Sequence, residues 1–135
     1  MSYSIDCFRK YEIRNMMDYS GDYEFKMIDE CEGDYIYPST LSEINNFLEN
    51  YSLQILYTLV PSFGGGECFE GITQKEAENI AKRFIEPVKC IAYIENNNIL
   101  EKIEENKPQN YERMLFTLKN LIDKWKEDYY VYEWY

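Results

Sequence analysis

Histidine is absent from the 135 residues of this chain. Because histidine is the commonest general base in enzymes and activates the nucleophile in Ser–His and Cys–His arrangements, its absence removes the most familiar catalytic sites. Carboxylate pairs such as Glu67 with Glu70 can also transfer protons, but 25 acidic residues produce such pairs by chance. We therefore expect no enzymatic activity, no catalytic residue and no cofactor.

Motifs that bind metal ions are absent as well. None of the four cysteines forms a Cys-x-x-Cys pair, and without histidine the usual zinc patterns cannot be assembled. The acidic run Asp29–Asp34 lacks the spacing and the closing glutamate of an EF-hand calcium loop. The sequence thus predicts no metal site. It also predicts four free, mostly buried thiols, which are typical of a cytoplasmic protein. The cysteines are Cys7, Cys31, Cys68 and Cys90.

No hydrophobic run is long enough to cross a membrane, and the polar start Ser2–Asp6 does not fit a secretory signal. We expect no membrane association. A hydrophobic content of 45% excludes a disordered acidic tail, and the length predicts a single domain over residues 1–135. The 14 tyrosines exceed the needs of one core, so several are expected at the surface, where tyrosine favours protein contacts.

Lysine and arginine are missing from residues 27–74, a stretch of 48 residues. This stretch supplies −8 of the net charge of −11. Concentrated charge of one sign speeds association with the opposite charge, so the stretch predicts a basic protein partner. Direct binding of nucleic acid is not expected, because phosphate contacts need clustered basic residues. The acids of the stretch are Asp29, Glu30, Glu32, Asp34, Glu43, Glu49, Glu67 and Glu70.

Alternating apolar and polar residues predict strands at Tyr3–Cys7 and Tyr23–Met27, with turns at residues 20–22 and 32–34. Residues 8–18 fit no single pattern. A nearly continuous apolar run predicts a buried strand over residues 52–60 that ends at Pro61. The aromatic segment Tyr129–Tyr135 is expected to be extended.

Helical periodicity prevails in the second half of the chain. Thr40 and Thr73 each stand three residues before a glutamate, the spacing of a capping box that starts a helix. Pro87 is expected to break the second of these helices or to start the next turn. Residues 88–94 fit a strand or a short helix, residues 99–107 a short helix, and the stripe Tyr111–Trp125 a long one. The sequence predicts an α+β fold, with three to five helices on a small, mostly antiparallel sheet.

The glycine-rich segment Phe63–Gly71 is open to three interpretations. Its glycines suggest a phosphate-binding loop, but the Gly-Lys-Ser/Thr ending and the G-x-G-x-x-G spacing are missing, and Glu67 and Glu70 would repel an anion. A loop that offers its aromatic and acidic residues to a partner fits better. A simple connection is the third interpretation.

The leading hypothesis is a small acidic inhibitor that neutralises a basic partner, in the manner of a bacterial immunity protein that blocks a nuclease-type toxin. One alternative is a phage-encoded inhibitor of a host nucleic-acid defence enzyme, similar in manner to an anti-CRISPR protein, whose carboxylates mimic phosphates. Another is a ligand-binding module or enzyme that uses the loop at Gly64–Gly66. The expected partner-binding residues are Asp29, Glu30, Glu32, Asp34, Phe63, Glu67, Phe69, Glu70, Tyr132 and Trp134.

Overall fold

A four-stranded sheet separates two hydrophobic cores in this protein. The structure, a computed structural model, describes residues 3–16 and 22–135, so part of the turn expected at residues 20–22 lies outside the described residues. The strands are β1 (Ser4–Asn15), β2 (Tyr23–Glu32), β3 (Ser62–Phe63) and β4 (Tyr130–Trp134). The helices are α1 (Pro38–Leu48), α2 (Gln74–Arg83), α3 (Pro87–Asn96), α4 (Ile99–Asn106) and α5 (Tyr111–Lys126), with a 3₁₀ turn at Glu49–Tyr51.

The strands lie in the order β2-β1-β4-β3. Long antiparallel pairings join β1 to β2 and to β4, and the short β3 runs parallel to β4. This arrangement confirms the α+β prediction and gives a mixed sheet in which antiparallel pairing prevails. In the described residues, no helix combines the length and the apolar character needed to cross a bilayer.

Consecutive residues of β1 point to different cores, as expected of a strand. Cys7 belongs to the helical core, which we define as the buried apolar residues of α1, α3, α4 and α5, those of the segment 55–60, and Ile5, Cys7, Ile36, Tyr129 and Val131. Phe8 lies on the opposite face, in the aromatic core, where Ile80 and Ala81 of α2 also pack. The aromatic core consists of Phe8, Phe25, Met27, Phe63, Phe84 and Tyr132.

The alternation of faces shifts along the β1–β2 hairpin. Cys7 and Cys31 face each other beside the helical core, whereas Tyr11 stacks on Phe25 of the aromatic core with 4.9 Å between ring centroids. Between these positions Asp29 adopts a left-handed conformation, with φ of 58°. Such a residue reverses the side-chain direction within a strand, which explains the shift.

Several sequence predictions are confirmed. Thr73 caps α2 as expected: its Oγ1 accepts from the amide of Glu76, and its own amide donates to Glu76 Oε1, both over 3.1 Å. The strands near the N-terminus, the turn after Glu32, the helices α4 and α5 and the final strand β4 are present. The ambiguous residues 8–15 continue β1, and residues 88–94 are helical because Pro87 occupies the first turn of α3.

The strand predicted over residues 52–60 is wrong. This segment is a series of turns whose amides are satisfied locally: those of Ile55 and Leu56 donate to Asn45 Oδ1 over 2.7 and 3.1 Å, and that of Val60 donates to the Ile55 carbonyl. Its apolar residues are nevertheless buried in the helical core. The apolar pattern correctly indicated that this segment is buried. It did not require a strand, because Asn45 of α1 accepts the hydrogen bonds of the buried amides, which strand pairing would otherwise have to satisfy.

The capping box predicted at Thr40 is also wrong. The helix α1 starts earlier, with Pro38 in its first turn and Tyr37 at the N-cap, and no side chain caps it. Proline is suited to the first helical position because its φ is fixed and its missing N–H has no helical acceptor there. Thr40 therefore lies inside the helix, fully buried, and its hydroxyl has no partner among the described residues.

Glu133 is a buried acid, and its burial is expected to make the free energy of unfolding depend on pH. Its side chain is 4% exposed and accepts a hydrogen bond of 3.0 Å from the Ser62 hydroxyl. Burial raises the pKa of this carboxyl above its usual range, although the Ser62 bond opposes the rise. A raised pKa favours the neutral folded form, so stability is lost as the pH rises through the folded-state pKa.

We therefore expect Glu133→Gln to raise the free energy of unfolding at pH 7 by about 1 kcal/mol, because glutamine keeps the acceptor for Ser62 without the charge. Urea unfolding at pH 7 and at about pH 3 measures the effect, and the gain should vanish at the lower pH, where the glutamate of the wild type is almost fully protonated in both states. An equal or lower stability of the variant at pH 7 would contradict this account.

Candidate functional site

The outer edge of β2 is only partly covered. Its first half pairs with a later segment: Tyr23 exchanges two backbone hydrogen bonds with Ile72, and the Phe25 amide donates to the Phe69 carbonyl over 2.7 Å. From Met27 onwards, no described segment pairs with this edge. An open strand edge can accept an added strand or loop from another chain.

Acidic residues at and after this open edge differ in how they are neutralised. Asp29 accepts a hydrogen bond from Arg9 over 3.0 Å, and the two form an ion pair. Glu30, Glu32 and Asp34 are exposed, and within the described ranges none of them forms an ion pair. We call these three residues the acidic edge. Among the described residues, no lysine or arginine side chain pairs with these three acids, so their negative field is not cancelled locally.

The register of the sheet extends the acidic edge across β1. Asp6 is the direct partner of Glu32 on one side and of Tyr132 on the other, so the three side chains share the face of the aromatic core. A shallow groove of about 370 Å³ follows this face, lined in part by Asp6, Glu30 and Tyr132. Burial raises the pKa of the Tyr132 phenol, and the charges of Asp6 and Glu30 raise it further. The phenol therefore stays neutral beside the carboxylates.

The carboxylates of the acidic edge lie too far apart to hold a metal ion together. Across residues 3–16 and 22–135, no group of three or more His, Cys, Asp or Glu side chains converges closely enough to hold an ion. The acids line up along an edge instead, which suits an extended basic surface better than a point charge.

Exposed aromatic residues continue the acidic edge into α1 and α5. Tyr35 is 61% exposed and meets Phe116, which is 48% exposed, with 5.9 Å between ring centroids. Tyr37 is 41% exposed, and the guanidinium of Arg113 lies 5.9 Å from its ring centroid. We call Tyr35, Tyr37 and Phe116 the aromatic patch. Tyr35 also adopts a left-handed conformation with φ of 63°, an unfavourable state for a bulky residue, which here directs its ring onto Phe116.

Sequence reasoning missed the aromatic patch, although one signal was present. Phe116 lies outside the apolar stripe of α5, and a large apolar residue away from the buried stripe of a helix points to a surface contact. Asp6 was missed because its position beside Glu32 depends on the strand register, which the sequence left open.

Four aromatic residues expected to bind a partner lie in or against the aromatic core instead. Phe63 is fully buried, and Tyr132 is buried beside it, with 5.9 Å between the ring centroids. Phe69 and Trp134 are half-buried and contact each other. Aromatic residues at every second position of a strand point to one face, and here α2 and the glycine-rich loop cover that face. Phe63 and Tyr132 thus face the aromatic core, and Tyr132 also lines the groove beside the acidic edge.

The glycine-rich loop is tied to α2 by Arg83. This guanidinium donates to Glu67 over 2.9 Å and to the Ser62 carbonyl, and it lies 3.9 Å from the Phe63 ring centroid. A groove of about 490 Å³ between the loop and α2 is lined by carboxylates at Glu67, Glu70 and Glu76. The amides at the start of α2 already have the capping box as a partner. The loop is thus a poor receptor for phosphate. Of its two glutamates, Glu67 pairs with Arg83, whereas Glu70 forms no ion pair among the described residues.

Comparisons with known proteins add no relative to this picture. The sequence matches no protein-family model, and neither the search of curated proteins nor the search of solved structures gave a match. The function must therefore be inferred from the surface itself.

Proposed function

We propose that this protein binds and neutralises a basic protein partner, in the manner of an immunity protein that blocks a nuclease-type toxin. One observation carries the proposal. The acidic edge lies at and after the uncovered edge of β2, forms no ion pair within the described residues, and is followed directly by the exposed Tyr35. The two features have complementary roles, because carboxylates accelerate encounter and aromatic side chains hold the complex together.

The chemistry of the surface favours a nuclease-type partner. A nuclease presents clustered lysine and arginine to bind phosphates, and a row of carboxylates can occupy the same positions. On a strand, alternate residues such as Glu30 and Glu32 are separated by about 6.7 Å, so their charges follow one another along an extended basic groove. A phage-encoded inhibitor of a nucleic-acid defence enzyme would use the same surface and would differ in its partner and its neighbouring genes.

The four cysteines are consistent with action in the cytoplasm. All of them are free thiols, and reducing compartments keep thiols in this state. We include the cytoplasmic location in the proposal, since a toxin that attacks nucleic acid must be neutralised where nucleic acid is present.

Capture from native host lysate at low and at high salt tests the proposal. We expect the wild-type protein to retain a basic protein at low salt and to release part of it at high salt, because exposed charges are screened. A second bait with Tyr35→Ala and Phe116→Ala should retain it about tenfold less well at either salt concentration, since truncated aromatic anchors dissociate faster.

Failure to capture any basic protein, together with a nucleotide or metabolite that raises the melting temperature, would refute the proposal in favour of a ligand-binding module. Equal capture by both baits would remove the aromatic patch from the interface.

A further inference from the structure

Two cysteines face each other across the β1–β2 hairpin. Cys7 and Cys31 are direct partners in the antiparallel register, so both side chains lie on the face of the helical core. Direct partners have Cα atoms about 4.5–5.5 Å apart, within the range of about 4.4–6.8 Å found for disulfides. Both are free thiols in this structure. The backbone therefore already holds the pair in a position where a bond between the sulfur atoms is possible.

Cys31 has a setting that favours reaction. It is half-buried, and the Nζ atom of Lys124 lies 3.6 Å from its Sγ atom. The Arg9 guanidinium stacks on the Tyr129 ring at 4.2 Å from the centroid. Reactive cysteines typically lie in partly accessible surroundings that also contain a cation, and Cys31 has both features. Within the described residues, only this cysteine has a lysine within hydrogen-bonding reach.

Cys7 has the complementary setting. It is almost fully buried, and burial raises the pKa of its thiol well above the usual range, with charge at Cys31 adding to the rise. Cys7 is therefore protonated and shielded from solvent, and it meets an oxidant less readily than Cys31 does. The pair thus consists of a half-buried sulfur at Cys31 and a buried sulfur at Cys7 beside it.

We propose that Cys7 and Cys31 form a redox pair that closes to a disulfide when a hydroperoxide oxidises Cys31. The Cys31 sulfur attacks one peroxide oxygen, and the O–O bond breaks as the S–O bond of a sulfenic acid forms. For hydrogen peroxide, the hydroxide that leaves takes up the proton lost by the Cys31 thiol and becomes a first water. Cys7 sulfur then attacks the Cys31 sulfur, and the sulfenic hydroxyl leaves with the Cys7 proton as a second water. Two thiols lose two electrons, and the peroxide gains them.

The cross-link would act on the open half of β2. Cys31 lies between Glu30 and Glu32, so the disulfide would fasten this part of the strand to β1. The proposal does not depend on the partner, because the thiol chemistry is measured on the protein alone.

Peptide mapping after oxidation tests the pair. In a Cys68→Ser background, which removes the exposed thiol, we expect hydrogen peroxide under native conditions to give one intramolecular link between the peptides of Cys7 and Cys31. A dithiol reductant should reverse it, and the oxidised protein should melt about 5–10 °C higher because the unfolded chain is constrained. Adding Cys90→Ser, a matched change at a buried thiol, should leave the link intact.

Adding Cys7→Ser instead should leave Cys31 as a sulfenic acid that dimedone traps. The proposal fails if the Cys68→Ser protein keeps Cys7 and Cys31 unlinked after oxidation. It also fails if Cys31 proceeds to sulfinic acid while Cys7 stays reduced.

Discussion

Reversing the three charges of the acidic edge, with Glu30→Lys, Glu32→Lys and Asp34→Lys, is expected to slow association with the basic partner about 100-fold at low salt. The substitutions replace three unpaired negative charges by positive ones where the partner must approach, so steering becomes repulsion. The effect should shrink as salt screens the charges. Stopped-flow association of the purified pair at several ionic strengths measures it.

A matched control separates local charge from net charge. Glu101, Glu104 and Glu105 are exposed on α4, and no ion pair involves them within the described residues. Changing these three to lysine alters the net charge by the same amount at a different surface, and we expect association to slow by about threefold at most. Equal slowing by both triple variants would show that the whole-protein charge, and not the acidic edge, attracts the partner.

Phe63→Ala is expected to lower the free energy of unfolding by about 3–5 kcal/mol. Phe63 is fully buried, and its ring stacks on Phe84 with 5.3 Å between ring centroids. The guanidinium of Arg83 also lies against the Phe63 ring. Alanine removes these contacts and leaves a cavity in the aromatic core that the neighbouring rings cannot readily fill. A loss of this size is a large share of the roughly 7–20 kcal/mol typical of a chain of this length. Urea unfolding followed by fluorescence measures it.

Phe116→Ala provides the comparison, since it deletes the same ring from an exposed position. We expect it to change stability by about 0.5 kcal/mol or less and to weaken partner binding instead. If both variants lost the same stability, the distinction between the aromatic core and the aromatic patch would be wrong.

Much of the fold was predictable from local patterns. The capping box at Thr73 and the stripe of α5 gave two helices, because such signals act within a few residues of the chain. Alternation gave β4 and the first halves of β1 and β2, whereas residues 8–15 of β1 fitted no single pattern. Residues 52–60 could not be predicted, because their turns depend on hydrogen bonds that the amides of Ile55 and Leu56 donate to Asn45 Oδ1 in α1.

The candidate site was predictable in part. The acids of residues 27–74 were visible in the sequence. Their ion pairs were not, because Arg9 and Arg83 lie outside this stretch. Those contacts neutralise Asp29 and Glu67 and leave Glu30, Glu32 and Asp34 exposed. The aromatic patch depends on the approach of Tyr35 to α5, a contact over a long stretch of sequence that local patterns do not encode.

The position of β4 between β1 and β3 bears on how the chain folds during synthesis. The residues of β4 are made long after β1, yet they form the seam that joins both halves of the sheet. Until Tyr130–Trp134 leaves the ribosome, one edge of β1 and the ring of Phe8 have no cover from β4. Until then β1 has one unpaired edge that can associate with other chains, and the docking of β4 is a long-range step that slows folding.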